Sequence, residues 1–337
     1  MPRFPYGRPM FAFILSRLLQ SIPVLLVVAL ISFLLFMFVG DPVTTMLGQD
    51  FTEAQRVALV HQLGLDQPFI VQYGRYIWAA LHGNFGVSYR LAQPVAGLIA
   101  ERLPATLELA FTSSVLALVV GVPMGVYTGI RRNSVVSRLA MVVSLIGVSL
   151  PTFLLGILLI LVFSVYLGWL PSFGRGTVVQ LGWWSTGFLT VSGLRALILP
   201  AITLGMFQMT LIMRLVRAEM LEVLRSDYVK FARARGISQR AINFGHALKN
   251  TLVPVITITG LQLGGIIGFS LVTETVFQWP GVGLLLVQSI AVADIPVMAA
   301  YLMLVGLVFV LINLVVDLLY YAVDPRLRIG RAPAGAR

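Results

Sequence analysis

Cysteine is absent from this 337-residue chain, which removes disulfides and thiolate metal sites together. Charge is nearly as scarce. Asp, Glu, Lys and Arg make up 11% of the residues, against about 25% in an ordinary soluble domain, too few to cover a water-facing surface. Lysine occurs only at Lys230 and Lys249, and histidine only at His61, His82 and His246. The histidines form no H-x-x-x-H pair, so no metal site is expected. Nothing matches G-x-x-x-x-G-K-[ST] and neither lysine follows a glycine, which excludes a P-loop. No G-x-S-x-G elbow is present either. No catalytic residue is expected, and any ATP the protein uses must be hydrolysed on another polypeptide.

What is present is apolar. Hydrophobic residues reach 58% and the mean hydropathy is +0.93, so the chain reads as an all-α polytopic membrane protein in contact with a lipid bilayer. Six runs are long enough to cross, given the roughly 20 residues a helix needs: 11–39, 104–130, 139–167, 196–216, 251–275 and 296–322. The first exceeds a signal-peptide core of about 7–15 residues and lacks an A-x-A-like site, so it is read as a retained span. A net charge of +11 would suggest nucleic acid in a soluble protein. Here it marks cytoplasmic loops, and no nucleic-acid partner is expected. Arginines cluster at 3, 8 and 17, at 131, 132 and 138, across 214–249, and at 326–337, whereas the opposite side holds only Arg175 and Arg195 in its short loops. Both termini are therefore predicted to be cytoplasmic.

This gives a tail and first span over 1–39, a small helical extracytoplasmic domain over 40–103, a five-helix core over 104–322, and a cytoplasmic tail over 323–337. In the outer domain Gly40-Asp41-Pro42 ends the first helix. Thr52 with Gln55 forms a capping-box start to a helix stopped by Gly64, and Pro68 opens a second helix ended near Gly83. Residues 93–102 read as an amphipathic surface segment before Pro104. The tryptophans of the 168–195 loop read as interfacial anchors. Gly121, Gly125 and Gly129 recur every four residues in the second span, as do Gly260, Gly264 and Gly268 in the fifth. Each set lies on one face, for close helix packing or as a border of a translocation path. Pro123 and Pro151 are possible kinks. Glu108, Glu274 and Asp317 are the acids within spans, read as structural pairing rather than ion coupling, since no chain of acids and histidines marks a proton relay.

The longest polar interval of the second half, 217–250, hangs between two spans. Ser226-Asp227 supplies a helix start and Gly236 a stop, around Tyr228, Val229, Lys230, Phe231, Ala232, Arg233, Ala234 and Arg235. Tyr228, Phe231 and Ala232 are expected to share a face. Ser238 is placed to cap a second helix leading into the fifth span, with Pro254 interrupting its opening turns. So short a helix is unstable alone and needs something to pack on. A basic lipid-facing loop explains the arginines but not the aromatics or the alternation Ala232-x-Ala234-x-Gly236.

The stretch resembles the cytoplasmic coupling loop of permease subunits of bacterial binding-protein-dependent ABC importers, in the dipeptide/oligopeptide/nickel class. The residues that carry it are Asp227-Tyr228-Val229, Ala232-Arg233-Ala234, Gly236, Ser238, His246-Ala247-Leu248, Asn250 and Pro254-Val255. Similar segments follow in order along the chain: 63–66, 101–108, 168–171, Glu274 to Gly281, and Asp324-Pro325-Arg326. Where the wider superfamily has Glu-Ala-Ala this chain has Lys230-Phe231-Ala232, a divergence the peptide class shares. The resemblance implies an inner-membrane protein importing peptides, or alternatively nickel or another small solute. It also implies a homologous second permease, two ABC ATPase subunits that bind ATP and Mg, and an extracytoplasmic solute-binding protein. The coupling role would fall on Asp227, Tyr228, Lys230, Phe231, Ala232, Arg233, Ala234, Arg235 and Gly236. No cofactor is expected on this chain. A stand-alone ion-coupled carrier is the rival reading.

Overall fold

The computed structural model describes residues 10–38 and 52–323. Eleven helices in this range carry the fold: α1 Met10–Phe38, α2 Glu53–Leu63, α3 Phe69–Leu81, α4 Val95–Ile130, α5 Val135–Ser149, α6 Thr152–Leu159, α7 Val191–Arg225, α8 Asp227–Ala234, α9 Leu248–Val276, α10 Val282–Ile290 and α11 Ile295–Val323. π-Helical turns extend α6 over Ile160–Tyr166 and lead into α9 over Ala241–Ala247. Among the described residues, α1, α4, α7 and α11 contain segments long and apolar enough to cross a membrane. The pair α5–α6, bent by 113° at its break, makes a fifth when counted as one.

The capping box forms as its residues require. The Thr52 hydroxyl accepts from the Gln55 amide, the Gln55 side chain accepts from the Thr52 amide at 2.9 Å, and Gly64 closes α2 at φ 70°. Helix α3 starts directly after Pro68. It rests on α1 through Phe33, whose ring meets those of Phe69, Tyr73 and Tyr76 at 5.4–5.7 Å. The Gly40-Asp41-Pro42 break and the Asp324-Pro325-Arg326 segment lie outside the described residues.

Four expectations change. The segment before Pro104 is not a separate surface element. Helix α4 runs unbroken from Val95 through Pro104 and Pro123, and Val95, Leu98 and Ile99 are buried against Val282, Leu285, Val297 and Ala300. Inside a membrane protein the carbonyl freed by an interior proline finds other partners, so proline does not force an end. The third run is not one helix. Leu150 stays extended (ψ 131°) because the residue before a proline avoids the helical region, and the chain turns sharply there. Pro254, by contrast, does not interrupt α9, whose backbone stays helical across it. The all-α expectation also misses one hairpin. Val179–Leu181 pairs antiparallel with Trp184–Thr186 around a two-residue turn, where Gly182 takes φ 67°.

The core lies where α4, α7 and α9 meet. Ala105, Leu109, Leu197, Leu204, Ile266 and Ile267 pack around Trp279, whose indole N–H donates to the Ala105 carbonyl at 2.9 Å. A second cluster at the other end of α4 and α7 includes Val126, Val216, Met220 and Ala247. It forms the floor on which the 226–247 hairpin sits.

Candidate functional site

Helix α7 carries the chain through Arg217 to Arg225, so the first nine residues of the polar interval prolong the fourth span. Ser226 takes extended angles and redirects the backbone into α8. It stands at the expected N-cap position, but its hydroxyl does not cap. It donates back to the Val223 carbonyl at 2.7 Å. Asp227 instead takes the first turn, beside the free amides, and binds Lys230 at 2.8 Å in an exposed pair. Arg235 and Gly236 close the helix. The Ile237 amide reaches the Ala232 carbonyl at 3.2 Å and the Gly236 amide the Arg233 carbonyl at 2.9 Å. That is a Schellman motif, with Gly236 at φ 74° in the position that disfavours a side chain.

The faces of α8 differ from the sequence expectation in one residue. Val229 and Ala232 point inward onto Ile242, with Val223, Leu224 and Ile237 around them. Ala232 therefore does not join Tyr228 and Phe231. Val229 and Ala232 lie three apart on one stripe, and the more apolar stripe takes the core. Tyr228 and Phe231 remain 45% and 64% exposed. Lys230, Arg233, Ala234 and Arg235 are exposed too, and the Arg235 guanidinium stands 5.7 Å from the Phe231 ring centre. A link invisible in the sequence braces this face. The Tyr228 hydroxyl and His246 Nδ1 are 2.7 Å apart, with the rings nearly perpendicular. Ser238 caps the following turns weakly, its Oγ 3.4 Å from the Ala241 amide.

Behind the hairpin, the glycines of α4 meet α7. A Cβ at Gly125 would stand 2.6 Å from the Val216 Cβ and 2.7 Å from the Met213 carbonyl oxygen. At Gly121 it would stand 2.9 Å from the Met209 carbonyl oxygen, and at Gly129 2.7 Å from the Met220 Cβ. The two backbones approach because no side chain intervenes. In α9 the set divides. Gly260 abuts Val316 of α11, Gly268 has no described atom within 4 Å of where a Cβ would stand, and the surroundings of Gly264 lie outside the described residues.

The three acids singled out within spans are all engaged. Glu108 accepts from Arg175 Nη2 at 2.6 Å with both side chains buried, and Arg175 also donates to the Ser185 carbonyl. Glu274 accepts from Thr106, Ser270 and the Leu284 amide at 2.7–3.0 Å. Asp317 pairs with Arg17 at 3.0 Å. A fourth acid, Asp294, passed unnoticed in the sequence. It accepts from the Ser88 hydroxyl and from the amides of Tyr89 and Arg90, tying the segment after α3 to the start of α11.

Comparison with known proteins decides the family. The family of binding-protein-dependent transport system inner membrane components matches residues 121–329, and its N-terminal family matches residues 10–110. The chain belongs to this family. A putative peptide transport system permease protein of Brucella abortus (strain 2308) is 42% identical over 322 residues, covering 95% of this chain and 99% of that protein. The glutathione transport system permease protein GsiC of Escherichia coli (strain K12) is 42% identical over 321 residues, covering 95% and 99%. The dipeptide transport system permease protein DppB of Alkalihalophilus pseudofirmus is 39% identical over 332 residues, covering 95% and 100%. Among solved structures, an inward-facing MetNI methionine ABC transporter superposes with a TM-score of 0.52 at 21% identity, over 67% of this chain and 96% of that chain. The inner membrane component thus shares the fold of an ABC transporter chain. As a member of a family of transport components it is a multi-pass inner-membrane protein.

Proposed function

We propose that this chain is the permease subunit of an ABC importer that carries di- or oligopeptides into the cytoplasm by alternating access. The observation that carries the reading is the exposed face of α8. An aromatic and basic surface stands on a glycine-terminated two-turn helix whose own apolar stripe is already buried. Such a face is available to a partner, and the missing P-loop requires one that hydrolyses ATP. In this reading Tyr228, Phe231 and Arg235 seat α8 on one of two ABC ATPase subunits, which bind ATP and Mg. A homologous permease forms the other half of the path, and a solute-binding protein delivers substrate outside. Six spans result when α5–α6 and α9 each count as one, with α2 and α3 in an extracytoplasmic domain and both termini in the cytoplasm. Peptide as substrate follows the relatives of 39–42% identity, which are named for peptides, dipeptides and glutathione.

Phe231→Asp tests this. Because Phe231 is 64% exposed, the variant should reach the membrane at normal levels. It should lose peptide uptake and the co-purifying ATPase by tenfold or so, the scale at which removing one interface anchor operates. Full uptake with normal ATPase recovery would remove α8 as the coupling element. The stand-alone carrier reading gains nothing from Glu108 and Glu274, since in-chain partners already satisfy both.

A further inference from the structure

A groove of about 680 Å³ opens between the C-terminal turns of α4 and the π-helical turn that precedes α9. Its size falls within the roughly 300–1,000 Å³ typical of ligand sites. Three residues that carry hydrogen-bond donors line it: Tyr127, Arg131 and Asn243. No aspartate or glutamate does. Among the described residues Arg131 makes no ion pair. Asn243 is only 7% exposed, and its Oδ1 is taken by Gln239 at 2.9 Å, which leaves its NH2 group to donate. The remaining walls are apolar, including Val122, Ile130, Phe244 and Leu248.

The groove continues into a track. Val122, Val119, Val115 and Phe111 recur at helical spacing up one side of α4, and the last three are exposed. Eleven residues of helix rise about 16 Å, close to the ~15 Å of one leaflet's hydrocarbon. Donors at one end and an apolar ridge of acyl-chain length at the other fit an amphiphile with an anionic head.

We infer that this groove binds an anionic phospholipid, its phosphodiester held by Arg131, Tyr127 and Asn243 and one acyl chain lying along the α4 ridge. The wide π turn supplies Asn243 and also His246, which bonds Tyr228 of α8. Lipid in the groove therefore braces the hairpin from behind. The groove touches neither the substrate path nor the exposed face of α8, and lipid retention is read without transport, so its failure leaves the importer reading intact.

The experiment is native mass spectrometry of the purified importer complex released from nanodiscs of equal phosphatidylglycerol and phosphatidylcholine. The intact complex should retain phosphatidylglycerol selectively. Arg131→Gln should lower that retention about fivefold, the factor expected for one basic contact, and Val122→Trp should lower it by blocking the groove without touching a polar group. Excess inorganic phosphate should not displace the lipid. Equal retention of both lipids, displacement by phosphate, or unchanged retention in both variants would overturn the site. A single thiol at Phe244→Cys, unique in a chain without cysteine, adds a check. Efficient cross-linking to the second permease would show that a protein fills the groove instead.

Discussion

Glu108 and Arg175 stand 67 positions apart and meet in a buried pair. Removing one partner strands the other, at a cost of about 3–5 kcal/mol, whereas neutralising both is far milder. Arg175→Ala should accordingly lower the unfolding temperature of the detergent-solubilised protein markedly, and the double variant Glu108→Gln/Arg175→Gln should recover most of the loss. Equal losses in both would mean that the pair does not hold the loop. The acid was legible in the sequence, as an ionisable group within an apolar run. Its partner was not, because Arg175 looks like any loop arginine until the chain folds back. Asp294 escaped for a related reason. It lies between helices, where hydropathy gives no signal, and its partners at 88–90 come from a segment two hundred residues away.

At the scale of elements, glycine spacing told more than proline. The four-residue repeat in α4 marks a backbone contact with α7, so Gly125→Leu should force the helices apart and destabilise by about 1–3 kcal/mol. Gly268→Ala, with nothing near its new methyl, should leave melting unchanged. A thermal-shift comparison separates the two, and matching shifts would mean that the α4–α7 contact at Gly125 is not tight. Gly236 is a different case. Among the described residues a Cβ there meets nothing within 4 Å, so within them only its φ of 74° restricts it. Asn tolerates that angle and Val does not, with a difference of about 1–2 kcal/mol. Gly236→Asn should keep most uptake and Gly236→Val should lose it. Similar losses in both would point to a partner's surface rather than to the backbone. Pro104 misled because water-soluble rules end helices at proline. Ala232 misled because three residues at i, i+3 and i+4 span too wide an arc to choose one face when Val229 competes for the interior.

For the molecule as a whole, the distribution of arginine predicts which side each loop faces. The cysteine-free background makes the check direct. A thiol introduced by His82→Cys should react with a membrane-impermeant maleimide in intact spheroplasts, and one introduced by Asn133→Cys only after lysis. The reverse pattern would invert the topology and with it the placement of α8. The helical composition and most span positions were legible from hydropathy. The 113° turn at Leu150–Pro151 was legible only as a possible kink, because its angle depends on what the two halves pack against.

The joint at Ser226 has a mechanical consequence. Helix α8 is fastened at one end to α7 and, through the π turn, at the other to α9, while the glycine face of α4 holds the stretch of α7 from Met209 to Met220. A push on Phe231 is thus a torque on three rods at once. Helix α7, with 35 residues, is about 50 Å long, so a rotation of ~5° at its loaded end carries the far end by ~4 Å. Under the proposed coupling, small strokes at one surface would become gate-sized displacements at the other, provided the rods stay bound to each other. The close backbone contact at Gly121, Gly125 and Gly129 is what would let such a lever act without bending.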